Sequence, residues 1–415
     1  MIIKFICLRR NNMNRKIQNE TTALMILNML CLTAMMAFIP VVGPVVRKLQ
    51  MSEWHGGLVV TVAGVLWMFM ARYWGRLSDR LGRKKVLLRA ASGYTVSFFL
   101  MAIILDVMLA EPPPLWVSLA ALLILRGSVG AFYAALPSVS AARIADITEP
   151  KKRPSAMAKL GVANGVGMVA GPAIGGLLVQ DSLILPLYAA IMLPLFGIVW
   201  LIKKVPTDKE HVATTSPPLA LKDKRLRLPL WAIFLAMSSV LTAQMIVGFY
   251  TMDIIHLDAH DAARVAGIAM ATVGVVLILV QAGLSKMKEL NPRWCIAVGA
   301  FIGSLGFILL TVSSGVFGLI TCYAIIAFGM AFVFPSVQAL AANRVSDKEQ
   351  GIAAGSVAAV QGLSMVITPL ICTLAYEIKP QIPYLMAAIA LIILTLITML
   401  QKENKDKVKP ISYSS

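Results

Sequence analysis

The chain contains a series of long apolar stretches, each about twenty residues long and separated from the next by a short polar segment. A helix of about twenty apolar residues is long enough to cross the hydrocarbon core of a bilayer. Lipid offers the backbone no hydrogen-bond partners, so each such stretch is expected to be helical. The pattern predicts twelve membrane-spanning helices, numbered 1 to 12 in chain order, at residues 22–46, 56–76, 86–109, 115–140, 156–179, 183–202, 229–252, 262–284, 294–313, 316–340, 352–376 and 381–400.

The overall composition excludes a water-soluble globule. Only 14% of the 415 residues are charged and 58% are hydrophobic, whereas about a quarter of the residues of a soluble domain are charged. A formal net charge of +18 is also found in nucleic-acid-binding proteins, but here the basic residues fall in short clusters between apolar stretches. We therefore predict an all-α, multi-pass protein of the bacterial inner membrane, whose partner is the lipid bilayer and not a nucleic acid.

The distribution of basic residues predicts the orientation, because Lys and Arg are enriched in cytoplasmic loops. The N-terminal arm, the segment between helices 2 and 3, the segment between helices 4 and 5, and the C-terminal tail are all rich in Lys and Arg. The opposite side carries only Arg47, Lys48, Arg264 and Lys379. Both termini are therefore predicted to be cytoplasmic. The residues before Met13 lack the order of a signal peptide. Met13 opens a more natural start than Met1, so the leading segment is expected to be either a misassigned start or a disordered tail.

One long polar linker divides the chain into two sets of six helices. We predict a cytoplasmic arm at 1–20, a first six-helix bundle at 21–202, a cytoplasmic linker at 203–228, a second bundle at 229–400 and a cytoplasmic tail at 401–415. The charged linker is expected to lie against the anionic leaflet.

An internal repeat supports this division. Pro137-Ser138-Val139 in helix 4 recurs as Pro335-Ser336-Val337 in helix 10. The GVGMVAGP segment ending at Pro172 recurs, at almost the same offset, as GLSMVITP ending at Pro369. Because both halves have the same orientation, the two bundles form a parallel repeat about an axis normal to the membrane.

The segment Gly75–Leu87, GRLSDRLGRKKVL, carries the most specific motif. It resembles the signature that joins helices 2 and 3 in the major facilitator superfamily. The resemblance implies that Asp79 faces the start of helix 11 near Gly351 and that Arg83 pairs with Asp146, closing the cytoplasmic side. A basic segment that only fixes topology is the alternative. The proposed gating residues are Gly75, Asp79, Arg80, Gly82, Arg83 and Asp146.

Arg126 lies in the middle of predicted helix 4, where an isolated Arg costs about 2.5–3.5 kcal/mol on insertion scales. It is therefore expected to face a cavity and to have a partner. Leu122, Arg126 and Gly130 match the helix 4 motif of the superfamily, although Val129 stands where the family often has Gln. The resemblance implies that Arg126 takes part in proton coupling. The alternative is a structural Arg bonded to backbone carbonyls.

Helix 5 contains a glycine-rich motif, GMVAGPAIGG. Glycines four residues apart allow close helix packing, and the proline bends the helix. Gly267, Ala271 and Gly274 form a complementary stripe of small residues on helix 8. The motif is similar to the antiporter signature of the superfamily, which implies drug–proton exchange; a generic dimerisation face is the alternative. Its residues here are Gly167, Gly171, Pro172, Gly175 and Gly176.

Several features are missing from the sequence. We find no nucleotide-binding loop and no catalytic or metal-ligand grouping, so we predict neither an enzyme nor a cofactor or metal site. The five cysteines show no paired spacing, and no disulfide is expected. In the second half, Lys286 stands where the first-half motif has an Asp. An intramembrane carboxylate for proton binding is hard to find, because Asp106, Asp253 and Glu377 lie toward the outer helix ends.

Polar side chains inside predicted helices are candidates for the substrate cavity. A buried amide is also a common interhelical hydrogen-bonding group, which is the alternative role. The candidates are Asn28, Asn164, Gln244, Gln281 and Gln361.

These features together predict a monomeric secondary transporter that resembles the twelve-helix drug–proton antiporters. The expected activity is export of a small organic molecule, driven by the proton gradient, through alternating rocking of the two bundles. The substrate is either a hydrophobic drug or an endogenous metabolite such as a siderophore. A proton-symport importer and a non-transporting membrane receptor are the alternative functions.

Overall fold

The computed structural model describes residues 2–148, 153–179, 182–206, 223–284, 290–346 and 349–400. The regular elements of this part of the chain are helices, and twelve of them are long and apolar enough to cross a membrane. Their bounds are Ile17–Lys48, Glu53–Leu81, Arg83–Ala110, Leu115–Ile147, Lys159–Leu178, Leu185–Lys204, Lys224–Asp253, Ala259–Leu284, Pro292–Val312, Val316–Asn343, Ala353–Ile378 and Ile382–Leu400, numbered as helices 1 to 12.

The all-helical architecture and the number of spans are confirmed, but several helices are longer than predicted. Helix 2 ends at Leu81 and helix 3 begins at Arg83, so a single residue joins them. This residue, Gly82, has a φ of +90°, a conformation that glycine adopts without the steric penalty of a Cβ atom. The motif at Gly75–Leu87 is therefore helical on both sides of one sharp turn. Charged ends extend both helices, which the apolar pattern alone did not reveal.

Two helices are interrupted just before a proline. Helix 1 consists of the segments Ile2–Met36 and Ile39–Lys48, and helix 4 consists of Leu115–Tyr133 and Ala135–Ile147. Pro40 and Pro137 have no N–H to donate to the carbonyl four residues earlier, which loosens the helix at that turn. The break in helix 1 places Phe38 in a turn between two helical segments.

The chain forms two compact units. The first comprises Met1–Phe38, Val62–Gly171 and Ile184–Thr215. In this unit helix 1 packs on helices 4 and 6, and helix 3 packs on helices 4 and 6. Its fully buried side chains include Leu27, Leu87, Tyr94, Phe98 and Tyr133.

The second unit comprises Ile39–Thr61, Pro172–Leu183 and Ser216–Ser415. Within it helix 9 packs on helices 10 and 12, helix 7 packs on helices 11 and 12, and helix 8 packs on helix 10. The segment Ile39–Lys48 packs on helices 7 and 8. Three tyrosines lie at the centre: Tyr323 Oη is 2.7 Å from the Ala243 carbonyl oxygen and 3.2 Å from Tyr384 Oη, and the Tyr250 ring contacts that of Tyr384.

Large apolar side chains are exposed on many of the helices. Trp116, Phe196, Phe317 and Ile389 are more than half exposed, as are several Leu and Met side chains. Such surface is unfavourable in water but matches lipid tails, in keeping with a multi-pass membrane protein. The cytoplasmic location of the termini remains a prediction from the basic residues.

Candidate transport site

Arg126 is the largest fully buried side chain of the described residues, with 1% exposure. Its Cζ atom lies 5.0 Å from the centre of the Phe38 ring, at the break in helix 1, so the ring covers one face of the guanidinium. Nε and Nη1 are buried and have no hydrogen-bond partner in the described part of the chain. The alternative role, a structural Arg bonded to backbone carbonyls, therefore leaves both of these nitrogens unexplained.

Aromatic side chains surround this part of the first unit. Tyr94 is fully buried in this unit, and its hydroxyl donates to the Cys31 carbonyl oxygen at 2.8 Å. The Tyr133 ring lies 6.0 Å from that of Tyr94 and 5.1 Å from that of Trp67, the latter in an edge-on arrangement. The guanidinium thus lies in an apolar, aromatic environment that does not compensate its charge.

The helix 2–3 motif forms an ion cluster within the first unit. Arg83 Nε lies 3.1 Å from Asp146 Oδ2, which is the pairing that the family resemblance implied. Arg83 Nη1 also lies 2.5 Å from Asp79 Oδ1 and donates to Ser78 Oγ at 2.6 Å. One guanidinium therefore ties the last turns of helices 2 and 4 to the start of helix 3.

Other residues of this motif have different surroundings. Gly75 lies within helix 2, and a Cβ atom built on it meets no heavy atom within 4 Å in the described part of the chain. Arg80 is exposed. The predicted approach of Asp79 to the start of helix 11 involves a residue of the second unit and stays a prediction.

The helix 5 glycines contact two different helices. A Cβ on Gly167 would lie 2.8 Å from the Met29 carbonyl oxygen, and one on Gly171 would lie 2.5 Å from the Thr33 carbonyl oxygen. Both glycines thus let helix 5 pack directly on the backbone of helix 1. In the second unit, Gly176 contacts the backbone of Gly267 on helix 8, the helix whose small-residue stripe the sequence predicted. Gly175 is buried, and Pro172 lies within the helix.

The candidate amides differ in burial. Asn28 is fully buried and donates to the Leu24 carbonyl oxygen at 2.8 Å and to Ser140 Oγ at 2.7 Å, so it links helices 1 and 4. The half-buried Asn164 has an unpartnered Oδ1. Gln244 is buried, Gln361 is half-buried, and Gln281 is exposed. Asn28 has the interhelical role that was the alternative for these residues.

Glu20 is a buried carboxylate that the sequence analysis missed. The span of helix 1 begins at Ile17, so Glu20 lies inside the helix rather than at the end of an arm. Arg143 Nε on helix 4 lies 2.5 Å from Glu20 Oε1, and both side chains are less than a tenth exposed. Glu20 was therefore not among the acids that the sequence analysis considered, which were Asp106, Asp253 and Glu377. Residues 20 and 143 carry no local signal of their pairing.

A second ion cluster, here called the Arg47 cluster, consists of Arg47, Glu53, Asp253 and Tyr376 in the second unit. Arg47 Nη2 lies 2.5 Å from Glu53 Oε1 and 2.7 Å from Asp253 Oδ2, and Tyr376 donates to the same Asp253 oxygen at 2.9 Å. The cluster joins the ends of helices 1 and 7 to the start of helix 2 and to helix 11. Arg47 is one of the few basic residues predicted to lie on the extracellular side.

A third group of charges surrounds Glu349, the residue before the helical segment Gln350–Ile378 that contains helix 11. Arg225 donates to both carboxylate oxygens of Glu349, at 2.8 and 3.2 Å, and Ser346 Oγ donates to Glu349 at 2.7 Å. These hydrogen bonds lower the pKa of Glu349 to about 2, and hydrogen bonds from Arg225 also lower the pKa of Asp223. The second-half motif position Lys286 and the repeat residue Asp347 lie outside the described residues.

Twelve helices long and apolar enough to cross a membrane, with large apolar side chains exposed on their surface, indicate a multi-pass membrane protein. The profile of the Major Facilitator Superfamily matches residues 24–369 and 262–414. The chain belongs to this superfamily. Members of it transport molecules and are not enzymes, as the sequence predicted.

Similar proteins include several resistance proteins. The chain is 28% identical to the tetracycline resistance protein, class C, of Escherichia coli over 339 residues, covering 78% of this chain and 80% of that protein. It is 23% identical to the quinolone resistance protein NorA of Staphylococcus aureus over 383 residues, covering 89% and 93%. The crystal structure of the human organic anion transporter MFSD10 superposes with a TM-score of 0.65 and 17% identity, covering 92% of this chain and 99% of that chain, and this likeness concerns the fold.

Proposed function

We propose that this protein exports small organic molecules from the cytoplasm in exchange for protons. The observation that carries the proposal is the buried, unpaired guanidinium of Arg126. A charge kept inside a membrane protein without a protein partner is costly, and such residues mark substrate or ion pathways. The relatives named as tetracycline and quinolone resistance proteins support export over uptake.

The helix 5 motif supports exchange rather than symport. Gly167 and Gly171 pack on helix 1, and Gly176 packs on helix 8, so this helix is tightly held by glycine contacts along its length. Together with Pro172 they retain the full pattern of the antiporter signature. Proton import through the same protein provides the driving force, and no other cofactor is required in this proposal.

Alternating access in this proposal uses the ion clusters as two gates. Arg83, Asp79 and Asp146 belong to the cytoplasmic gate, and the Arg47 cluster belongs to the extracellular gate. Substrate enters from the cytoplasm, the bundles rock, and a proton from outside resets the carrier. Arg126 takes part in coupling because its apolar surroundings raise the free-energy cost of its positive charge.

Hydrophobic drugs are the favoured substrates, because the named relatives confer drug resistance. A second candidate, an endogenous acidic metabolite such as a siderophore, is supported by Arg126, which supplies a cation in an otherwise apolar region. The two candidates differ in their use of that cation: transport of either needs Arg126 for coupling in this proposal, but only an anionic metabolite also binds to it directly.

The test is transport into everted membrane vesicles energised by a proton gradient. Tetracycline, a hydrophobic cationic dye and a purified siderophore are compared in the wild type, Arg126→Gln and Arg89→Gln, where Arg89 is an exposed arginine on helix 3. We expect gradient-dependent accumulation that an uncoupler abolishes, that Arg126→Gln reduces at least tenfold and that Arg89→Gln preserves.

Other outcomes distinguish the alternatives. Accumulation of the siderophore alone identifies the metabolite exporter. Uptake into right-side-out vesicles that follows an inward gradient identifies a symporter and overturns export. No gradient-dependent movement of any compound in either orientation favours a receptor without transport activity.

A further inference from the structure

The nitrogens of Arg126 lie on two different edges of its guanidinium. Nε belongs to one edge and Nη1 to the other, and both are buried without a partner in the described residues. Phe38 covers one face of the group, and no hydrogen bond to a described residue engages these two nitrogens. Each edge therefore contains an unused hydrogen-bond donor of a permanently charged group.

Four acids in the described part of the first unit have other partners. Glu20 binds Arg143, and both Asp79 and Asp146 bind Arg83. Asp106 accepts a hydrogen bond from Tyr188. None of these four carboxylates pairs with Arg126, whose Nε and Nη1 have no hydrogen-bond partner among the described residues.

We propose that Arg126 is the anion-binding group of the substrate site and that the transported compounds carry a delocalised acidic group, such as a carboxylate, an enolate or a catecholate. This inference rests on the proposed function and names its substrate class. Two oxygens that share one negative charge match the donor geometry of a guanidinium better than that of an ammonium group. The Phe38 ring, which lies 5.0 Å from Arg126 Cζ, suits an acid attached to an aromatic system.

Because the site is buried, the binding affinity of a ligand is expected to depend strongly on whether its acidic group is ionised. In an apolar environment a charge-assisted hydrogen bond is stronger than in water, because water does not compete for the donors. A ligand that keeps its shape but loses its charge leaves the guanidinium uncompensated. We therefore expect an acid to bind at least about tenfold more tightly than its neutral ester, since hydrogen bonds to charged groups have this strength.

The experiment measures equilibrium binding to the purified full-length protein in lipid nanodiscs. The probes are a fluorescent quinolone carboxylic acid and its methyl ester, which differ in charge and hardly in shape. In the wild type the acid is expected to bind at least tenfold more tightly. Arg126→Gln should abolish this preference, Arg126→Lys should retain a smaller one, and the exposed-site control Arg89→Gln should keep it unchanged.

The wild-type comparison needs no variant and remains decisive where Arg126→Gln does not fold. Equal affinities for acid and ester, including no measurable binding of either, would overturn the proposal, as would an acid preference that survives in a folded Arg126→Gln protein. Vesicle transport of the ester by a wild type without acid preference would leave the exporter function intact while the substrate class fails. Absence of transport of any probe would count against the exporter itself.

Discussion

Arg83 Nε lies 3.1 Å from Asp146 Oδ2, so the first residue of helix 3 is ionically bound to the last turn of helix 4. The two side chains are only 12% and 23% exposed, which limits screening of the pair by water and salt. The same guanidinium also binds Asp79, which makes Arg83 the centre of the cluster.

The Arg83–Asp146 pair is predicted to show thermodynamic coupling. Arg83→Gln and Asp146→Asn should each lower the thermal stability of the purified protein, and the double variant should lose less than the sum. A coupling free energy within the usual range for contacting residues, about 0.5–3 kcal/mol, is expected. Thermal unfolding in detergent, completed as a double-mutant cycle, measures it. The exposed Arg80→Gln serves as the control, and additive effects would contradict the pairing.

Gly171 and Gly165 provide a matched test of the close contact between helices 5 and 1. A Cβ on Gly171 would lie 2.5 Å from both Met36 Cβ and the Thr33 carbonyl oxygen, whereas one on Gly165 meets nothing within 4 Å. Gly171→Ala should destabilise the protein by about 1–3 kcal/mol, as overpacking does. Gly165→Ala on the same helix should be neutral or slightly stabilising. Unfolding temperatures decide, and equal effects of the two changes would refute the contact.

The buried Glu20–Arg143 pair is predicted to be costly to break on one side only. Glu20→Gln replaces the carboxylate that lies 2.5 Å from Arg143 Nε by a neutral amide, and loss of one partner of a buried pair costs about 3–5 kcal/mol. Replacing both residues by apolar ones, Glu20→Leu with Arg143→Met, should recover much of this stability. Thermal unfolding of the two proteins measures the difference. A double variant no more stable than Glu20→Gln would contradict this prediction, because the loss of stability would then not come from the remaining buried charge of Arg143.

The contribution of Glu349 to stability is predicted to depend on pH. Arg225 and Ser346 lower the pKa of Glu349 to about 2 from its ordinary value of 4.5. A carboxylate with a lowered pKa in the folded state contributes stability above pH 4.5, and this contribution is lost as the pH falls toward 2. The difference in melting temperature between wild type and Glu349→Gln should therefore be constant from pH 7 to pH 5 and shrink below.

The exposed Glu111→Gln variant is the control for this pH series, because Glu111 lies in the segment between helices 3 and 4. A difference between wild type and Glu349→Gln that stays unchanged down to pH 3 would show that the carboxylate does not contribute through its charge. High salt should reduce the difference, since the group is exposed.

The Arg47 cluster is predicted to hold the C-terminal end of helix 11 against helix 7 and to keep nearby side chains inaccessible to water. Tyr376 belongs to the cluster, and Cys372 lies one turn earlier on the same helix with only 3% exposure. In a protein that keeps Cys372 as its single cysteine, Arg47→Gln should increase the labelling rate by a membrane-impermeant maleimide several-fold. Lys48→Gln is the control, because Lys48 contacts His260 and lies outside the cluster. Equal labelling rates in Arg47→Gln and the parent protein would contradict this role.

The sequence by itself determined the membrane-spanning architecture and much of the motif chemistry. A helix that crosses lipid must be continuously apolar, so the number and position of the spans are encoded locally. The pairing of Arg83 with Asp146 was also predicted, through the resemblance of the motif at Gly75–Leu87 to the superfamily signature. The helix ends were less well predicted, because charged residues extend helices 1 and 2 beyond their apolar stretches.

Only the tertiary structure decided which polar groups are paired. Glu20 and Arg143 are 123 residues apart, and Arg47 and Asp253 are 206 residues apart, so no local pattern connects them. The same reason hid the position of Phe38 on Arg126, which depends on a break in one helix facing the middle of another. Apolar length is a property of a segment, whereas the partner or the isolation of a buried charge is set by the packing of segments that are distant in the sequence.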